Sequence, residues 1–92
     1  MKKKFSIIIP TYNEKKNIEI LIKNISKVLK KTIFEIIVVD DDSNDGTKKI
    51  LDNIKSKNKR FSYHIRYNVK RDLCKSLIIG ISKSKYKNII IM

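Results

Sequence analysis

Residues 5–14 read FSIIIPTYNE, and residues 36–47 read IIVVDDDSNDGT. Each stretch begins with a short apolar run rich in β-branched residues and ends abruptly in polar residues. Apolar runs of this length and composition are typical of buried strands, and the polar residues that follow are typical of turns. The pattern predicts a first strand over residues 5–9, stopped by Pro10, and a second strand over residues 34–39.

Two amphipathic helices are predicted after these strands. From Asn17 onward, apolar residues recur at helical spacing with lysines opposite them, which indicates a helix that ends near Lys30 or Lys31. A second apolar helical face follows the turn at residues 43–46. Asp and Thr are favoured N-cap residues, so we expect Asp45 or Thr47 to cap this second helix.

The rest of the chain continues the alternation of strands and helices. Residues 61–67 are weakly strand-like, and residues 88–92 form a fourth apolar run. A third helical face is expected from Leu73, Leu77, Ile78 and Ile81. Strands that alternate with helices predict a parallel sheet covered by helices on both faces, and 92 residues allow one domain. The sequence therefore predicts a single α/β domain.

Composition limits the classes of partner and compartment. Hydrophobic residues make up 41% of the chain, and 22 Lys and Arg against nine Asp and Glu give a formal charge of +13. This surplus favours anionic partners such as nucleic acid, anionic lipid or phosphorylated ligands, unless it is only a solvated lysine-rich surface. The single Cys74 excludes an internal disulfide, and no apolar run approaches the ~20 residues of a membrane span. We expect a cytoplasmic chain, soluble or peripheral to the membrane.

Polar residues at the ends of the first two strands are the candidate site. Ligands of open parallel sheets bind beyond the carboxyl ends of the strands. There, an ionised carboxylate such as Asp41 can accept the N–H of a nucleobase, and Tyr12 can stack on a base or sugar. The alternatives are structural: the run from Asp40 to Asp45, Asp41 included, would form the turn and cap the second helix, and Tyr12 would pack on the first helix. Glu14 could cap that helix or face the ligand.

Two motifs resemble those of family 2 glycosyltransferases, enzymes of the GT-A fold. The stretch FSIIIPTYNEKKNIEILI contains their P-x-Y-N-E pattern, and IIVVDDDSNDGT matches their V-V-D-D-x-S-x-D-G-T pattern. The last stretch, RDLCKSLIIGISKSKYKNIIIM, is most similar to the branch that acts on polyprenyl phosphates. The resemblance covers essentially the whole chain. It implies the Rossmann-like, nucleotide-binding half of a GT-A fold over residues 1–92.

The resemblance also implies roles for individual residues. Asp41 matches the acid that binds the base, Asp40 the acid that shapes the loop, and Arg71 a basic residue near the diphosphate. The nucleotide site that it implies consists of Pro10, Thr11, Tyr12, Glu14, Asp40, Asp41 and Arg71. Relatives often have glycines near positions 72 and 74, where this chain has Asp72 and Cys74.

The resemblance further implies a reaction and a metal in the complete relative. That relative would move a sugar from a nucleoside-diphosphate sugar to a polyprenyl phosphate at the cytoplasmic face of the membrane. It would use Mg²⁺ or Mn²⁺ held by an Asp-x-Asp motif after the fourth strand. This chain stops at Met92 before such a motif, so we expect it to hold no metal and to be inactive alone.

Several partners and rival functions stay open from the sequence. We expect a nucleoside-diphosphate sugar as ligand, with peripheral association with anionic membrane and self-association through the last strand as further possibilities. One rival is a basic nucleic-acid-binding module, although the chain lacks Arg-flanked aromatic platforms and any nucleic-acid fold signature. The other rival is a folded gene fragment without activity.

Overall fold

Four strands and three helices alternate along residues 3–92, the part of the chain that this computed structural model describes. No helix among these residues is both long enough and apolar enough to cross a membrane. The elements in chain order are β1 (Lys4–Thr11), α1 (Ile18–Val28), β2 (Ile33–Asp40), α2 (Thr47–Lys57), β3 (Phe61–Ile65), α3 (Leu73–Lys83) and β4 (Asn88–Ile91).

The sheet is parallel throughout, with strand order β3-β2-β1-β4. β1 and β2 are the central pair, and their register runs from Lys4 opposite Ile33 to Thr11 opposite Asp40. The two strands therefore end side by side, as expected of a site at the carboxyl edge. The predicted parallel α/β sheet is confirmed.

Helices cover both faces of the sheet because side chains of the central strands point alternately to either side. On one face, Ile7, Ile9, Ile36 and Val38 pack in a core that includes residues of α1 and α2. On the other face, the buried cluster consists of Ile8, Ile37 and Val39, with Leu77 and Ile79 of α3 packed against it. This arrangement confirms the predicted helices on both faces.

The expectation that Pro10 stops the first strand is wrong. β1 continues to Thr11, and Pro10 lies opposite Val39 of β2. The carbonyl of Ile8 accepts from the N–H of Met92 on the β4 side, and residue 10 has the same orientation as residue 8. The nitrogen of Pro10, which carries no hydrogen, thus faces away from β2. The proline therefore costs no hydrogen bond between β1 and β2.

The predicted apolar face of α3 is also wrong in part. Of its four residues, only Leu77 packs on the sheet, whereas Leu73, Ile78 and Ile81 are exposed. The residues buried in α3 are Ser76 and Gly80. Small side chains let the helix approach Ile8 closely, and a count of apolar residues cannot detect that requirement.

Smaller differences concern the ends of elements. α1 ends at Val28, two or three residues before the expected end, and β3 ends at Ile65 instead of residue 67. The N-cap position of α2 belongs to Gly46, which has φ 99°, and not to Asp45 or Thr47. Asp45 still acts at this helix start, since its carboxylate accepts from the N–H of Thr47 at 3.0 Å.

We expect Gly80→Ala to destabilise the domain. A Cβ at this position would lie 2.4 Å from Cγ2 of Ile8, a fully buried, β-branched residue of the central sheet. Overpacking of this kind costs about 1–3 kcal/mol and should outweigh the ~1 kcal/mol gained from replacing glycine in a helix. Urea denaturation measures the change in the free energy of unfolding. Ser82→Ala on the exposed side of α3 is the matched control, and a Gly80→Ala variant as stable as that control would contradict the packing argument.

Candidate nucleotide site

Three loops meet at the carboxyl edge of the sheet, each after one of the strands β1, β2 and β3. Each loop contains a non-glycine residue with a left-handed backbone: Asn13 with φ 53°, Asp42 with φ 58° and Asn68 with φ 56°. Such conformations are uncommon outside glycine, and Asn and Asp tolerate them best. They persist here because backbone N–H groups of these loops bond to neighbouring loops, for example Asn13 to Ser43 Oγ at 2.8 Å and Asn68 to Asp42 Oδ2 at 3.1 Å.

Asp40 holds two of these loops together from inside the protein. Its side chain is fully buried, and Oδ1 accepts from the hydroxyls of Thr11 and Ser43, each at 2.6 Å. Oδ2 accepts from the N–H of Ser43 at 2.8 Å. These bonds leave the carboxylate turned inward, and it does not line the neighbouring cavity. Asp40 thus lies behind the cavity, bonded to Thr11, and has a loop-shaping position.

Asp41, the next residue, is only 4% exposed and lies in a dense hydrogen-bond network. Its Oδ1 accepts from Arg66 Nη1 at 2.9 Å and from the hydroxyl of Ser76 at 2.6 Å. Its Oδ2 accepts from the N–H of Asp72 at 2.8 Å. Burial by itself raises the pKa of this carboxyl, but the bonds from Ser76, Asp72 and Arg66 outweigh it, so the pKa of Asp41 lies below its ordinary value. Asp41 is thus a buried, charged acceptor.

A small cavity of about 30 Å³ lies beside Asp41. Six of the seven predicted nucleotide-binding residues line it, and Leu73 completes it; the six are Pro10, Thr11, Tyr12, Glu14, Asp41 and Arg71. The guanidinium of Arg71 lies over the ring of Tyr12, 5.3 Å from its centroid. A volume of this size suits about one water molecule.

The other two carboxylates of the acidic run stabilise the loop, as the structural alternative for them predicted. Asp42 forms an ion pair with Lys48, and this bond, with that from the N–H of Asn68, lowers the pKa of Asp42. The hydroxyl of Thr47 donates to Asp45 and lowers the pKa of that carboxyl. Each member of the run therefore has its own partners, which offset the repulsion between neighbouring charges.

Arg66 and Ser76 belong to this site, although the sequence analysis assigned them no role. Arg66 is the one charged residue that directly follows the apolar part of β3, and it is 9% exposed. Ser76 is fully buried on the sheet-facing side of α3. The position of Arg66 next to a strand end could have marked it as a candidate site residue. Its partner Asp41, however, is 25 residues away in sequence, and only the folded chain shows the contact.

Within residues 3–92, no group of three or more His, Cys, Asp or Glu side chains is arranged to hold a metal ion. Asp40, Asp41 and Asp42 are adjacent in sequence, but their carboxylates are bonded to different partners. These three residues therefore do not form a ligand set for a divalent cation.

A larger cavity, of about 380 Å³, lies between α1 and α2. Its floor is formed by Ile22 and Ile54, and its rim includes Glu19, Lys23 and Lys57. It lacks the buried carboxylate and the aromatic ring that the cavity at the strand ends combines. We therefore place the candidate site at the strand ends, despite the smaller volume there.

Comparisons with known proteins identify the family of this chain. The sequence model of glycosyl transferase family 2 matches residues 6–92. Dolichol-phosphate mannosyltransferase of Pyrococcus furiosus is 48% identical over 54 residues, which are 59% of this chain and 15% of that protein. The GalNAc(5)-diNAcBac-PP-undecaprenol beta-1,3-glucosyltransferase of Campylobacter jejuni is 38% identical over 68 residues, 74% of this chain and 22% of that protein.

Solved structures extend the similarity to the whole chain. The crystal structure of residues 1–349 of S. aureus TarS in complex with UDP superposes with a TM-score of 0.80 at 26% identity. It covers 100% of this chain and 27% of the TarS chain. The fold is thus that of GT-A glycosyltransferases. The chain belongs to glycosyl transferase family 2, and it spans between 10% and 36% of the length of the curated relatives that it matches.

We expect Asp41→Asn to destabilise the domain at neutral pH by about 3 kcal/mol or more, because it leaves Arg66 buried without a counter-charge. The pKa of Asp41 is lowered on folding, so its contribution is complete above about pH 4 and is lost as the pH falls through the folded-state pKa. The difference between wild type and variant should therefore be constant from pH 7 to pH 5 and shrink below pH 4. Urea denaturation across this range measures it.

Asp42→Asn is the matched control for this experiment. It removes a neighbouring carboxylate whose ion pair is half-exposed, and asparagine tolerates the left-handed backbone at this position. We expect a much smaller loss than for Asp41→Asn. Equal losses for the two variants would show that the Asp41 network does not stabilise the fold more than an exposed ion pair.

Proposed function

We propose that this chain forms the nucleotide-binding half of the sugar-nucleotide site of a family 2 glycosyltransferase. The observation that carries the proposal is the charged, buried Asp41 beside the exposed ring of Tyr12, at the carboxyl edge of a parallel sheet. In this proposal Asp41 accepts an N–H of the base, Tyr12 stacks on its ring, and Arg71 moves toward the diphosphate. The UDP complex of the structurally similar TarS supports a uridine nucleotide as the first ligand to test.

For the complete protein, we propose transfer of a sugar from a nucleoside-diphosphate sugar to a polyprenyl-phosphate acceptor. The names of two relatives, a dolichol-phosphate mannosyltransferase and an undecaprenol-linked glucosyltransferase, support this acceptor class. TarS is named for a different acceptor, poly(ribitol-phosphate), so the family by itself leaves several acceptors open. A divalent metal would supply charge stabilisation to the diphosphate leaving group in such a reaction.

Two further partners are proposed from the surface. The charge of +13 supports peripheral association with anionic membrane at the cytoplasmic face. Residues 88–92 carry no charge, and Ile89, Ile90, Ile91 and Met92 are all partly exposed, which supports self-association of this chain along β4. Nucleic-acid binding is the less favoured function, because the model of glycosyl transferase family 2 matches residues 6–92.

We expect Tyr12→Ala to weaken nucleotide binding about five- to hundredfold, because the variant loses a base-stacking contact that contributes roughly 1–3 kcal/mol. Asp41→Ala should abolish it, because a charge-assisted hydrogen bond to the base and the order of the loop are lost together. Titration calorimetry with uridine and guanosine diphosphates measures both effects and identifies the preferred base.

Tyr86→Ala is the matched control for the tyrosine substitution. Tyr86 lies just before β4, where its N–H donates to Ser6 near the amino ends of the strands, at the opposite end of the sheet. Its replacement should leave the nucleotide affinity unchanged. If Tyr12→Ala and Asp41→Ala bind both nucleotides as tightly as the wild type does, the site lies elsewhere.

We also expect that the 92-residue chain alone does not transfer sugar. The carboxylates at the strand ends are bonded to Thr11, Arg66 and Lys48, and no group of three or more His, Cys, Asp or Glu within residues 3–92 is arranged to hold a metal. The assay combines purified chain, radiolabelled sugar nucleotides, polyprenyl phosphate and Mg²⁺ or Mn²⁺. Metal-dependent transfer above background that disappears in Tyr12→Ala would show that the minimal catalytic unit is smaller than we propose.

A further inference from the structure

Arg66 occupies an unusual position for a charged residue. Its backbone N–H donates to the carbonyl of Asp40 at 2.8 Å, which prolongs the pairing of β3 with β2. Its side chain is 9% exposed, and Nη1 lies 2.9 Å from Asp41 Oδ1, 3.4 Å from the carbonyl of Asp72 and 3.5 Å from Ser76 Oγ. Arginine is rarely buried unless it is paired, and apolar residues often stabilise such a site equally well. The sheet alone therefore does not require an arginine here.

The partner of Arg66 is the carboxylate of Asp41, a residue that lines the candidate nucleotide cavity. An ionised carboxylate has about four acceptor directions. Three at Asp41 are taken: Oδ1 accepts from Arg66 and Ser76, and Oδ2 accepts from the N–H of Asp72. This leaves about one acceptor direction, on Oδ2. Asp41 lines the cavity together with Tyr12.

We propose that Arg66 is a positioning residue for nucleotide recognition: together with Ser76 it holds the Asp41 carboxylate charged and turned so that its remaining acceptor site faces the cavity. Arg66 itself does not line the cavity and does not touch the ligand. The inference rests on the proposed function, since it assigns Arg66 a purpose in the same nucleotide site.

The other charged groups near Asp41 do not provide this support. Asp40 and Asp42 are acids and bring no positive charge themselves. Asp40 is bonded to the neutral hydroxyls of Thr11 and Ser43, and Lys48 is bonded to Asp42. From the segment before α3, Arg71 lies on the ring of Tyr12, and Asp72 contributes its backbone N–H. From α3, Ser76 donates a neutral hydroxyl. Arg66 is thus the one cation bonded to Asp41 within residues 3–92.

The test measures the affinity for uridine diphosphate by calorimetry from pH 4.5 to pH 8 in wild type, Arg66→Met and Arg66→Lys. We expect Arg66→Met to bind about ten- to a hundredfold more weakly at pH 7, the effect of losing a charged hydrogen-bond partner. Its affinity should also decline at a higher pH than that of wild type, because Asp41 then takes up a proton more readily. Arg66→Lys, which keeps the charge, should recover part of both losses.

Arg60→Met is the matched control, since it removes one positive charge from an exposed arginine that lies over Phe34. It should have the wild-type affinity and the wild-type pH profile. A residue with a purely structural role would change the melting temperature of the domain but not the pH profile of binding. Comparing each variant with the wild type at the same pH cancels the titration of the nucleotide phosphate.

The outcomes separate this inference from the proposed function. If the wild type binds no nucleotide at any pH, both are overturned. If the wild type binds and folded Arg66→Met has the same affinity and pH profile, only the role of Arg66 is overturned. If Arg66→Met does not fold, Arg66→Lys and Ser76→Ala are used in its place. Wild-type affinity and pH profile in both variants overturn the positioning role. Weaker binding by Ser76→Ala, with an affinity that declines at a higher pH than in wild type, supports it.

Discussion

The parallel pairing of β1 with β2, in the register that sets Thr11 opposite Asp40, is the constraint on which the rest of the structure depends. Side chains alternate between the two faces of a strand, so a shift by one residue would exchange the two cores. The same shift would separate the Thr11 hydroxyl from the buried Asp40 carboxylate that it bonds at 2.6 Å. One register therefore satisfies both the apolar core and the buried polar group at its end.

The candidate site follows from that register. Asp40 points into the protein and holds the loops, so Asp41, the next residue, is left at the edge of the sheet beside the first loop. Its N–H bonds to the carbonyl of Thr11 at 3.0 Å, which keeps the two chain segments together. A carboxylate at this depth is costly to desolvate, and three donors from distant segments compensate for that cost. One hydrogen-bond network therefore keeps the loops ordered and the Asp41 carboxylate charged.

Arg71 and Tyr12 lie against each other at the candidate site. The guanidinium covers the aromatic ring, and the cavity left beside Asp41 is about 30 Å³. Cation–π contacts at exposed positions contribute about 0.5–1 kcal/mol. A base that stacks on the same ring can replace this contact at little cost, and the freed arginine then carries its charge toward an anionic group. The contact between Arg71 and Tyr12 is thus compatible with the proposed nucleotide site.

The sequence by itself determined the class of fold and most of the residues that line the candidate cavity. Apolar runs such as Ile7–Ile9, followed by polar strand ends, have the period and length of buried strands, and six of the seven predicted nucleotide-binding residues line one cavity. Only the tertiary structure decided which side of α3 packs, because the close approach at Gly80 depends on Ile8 across the helix–sheet interface. It also decided that Asp40 turns inward and that Arg66 neutralises Asp41, since hydrogen bonds between residues 25 or more positions apart leave no local periodic signal.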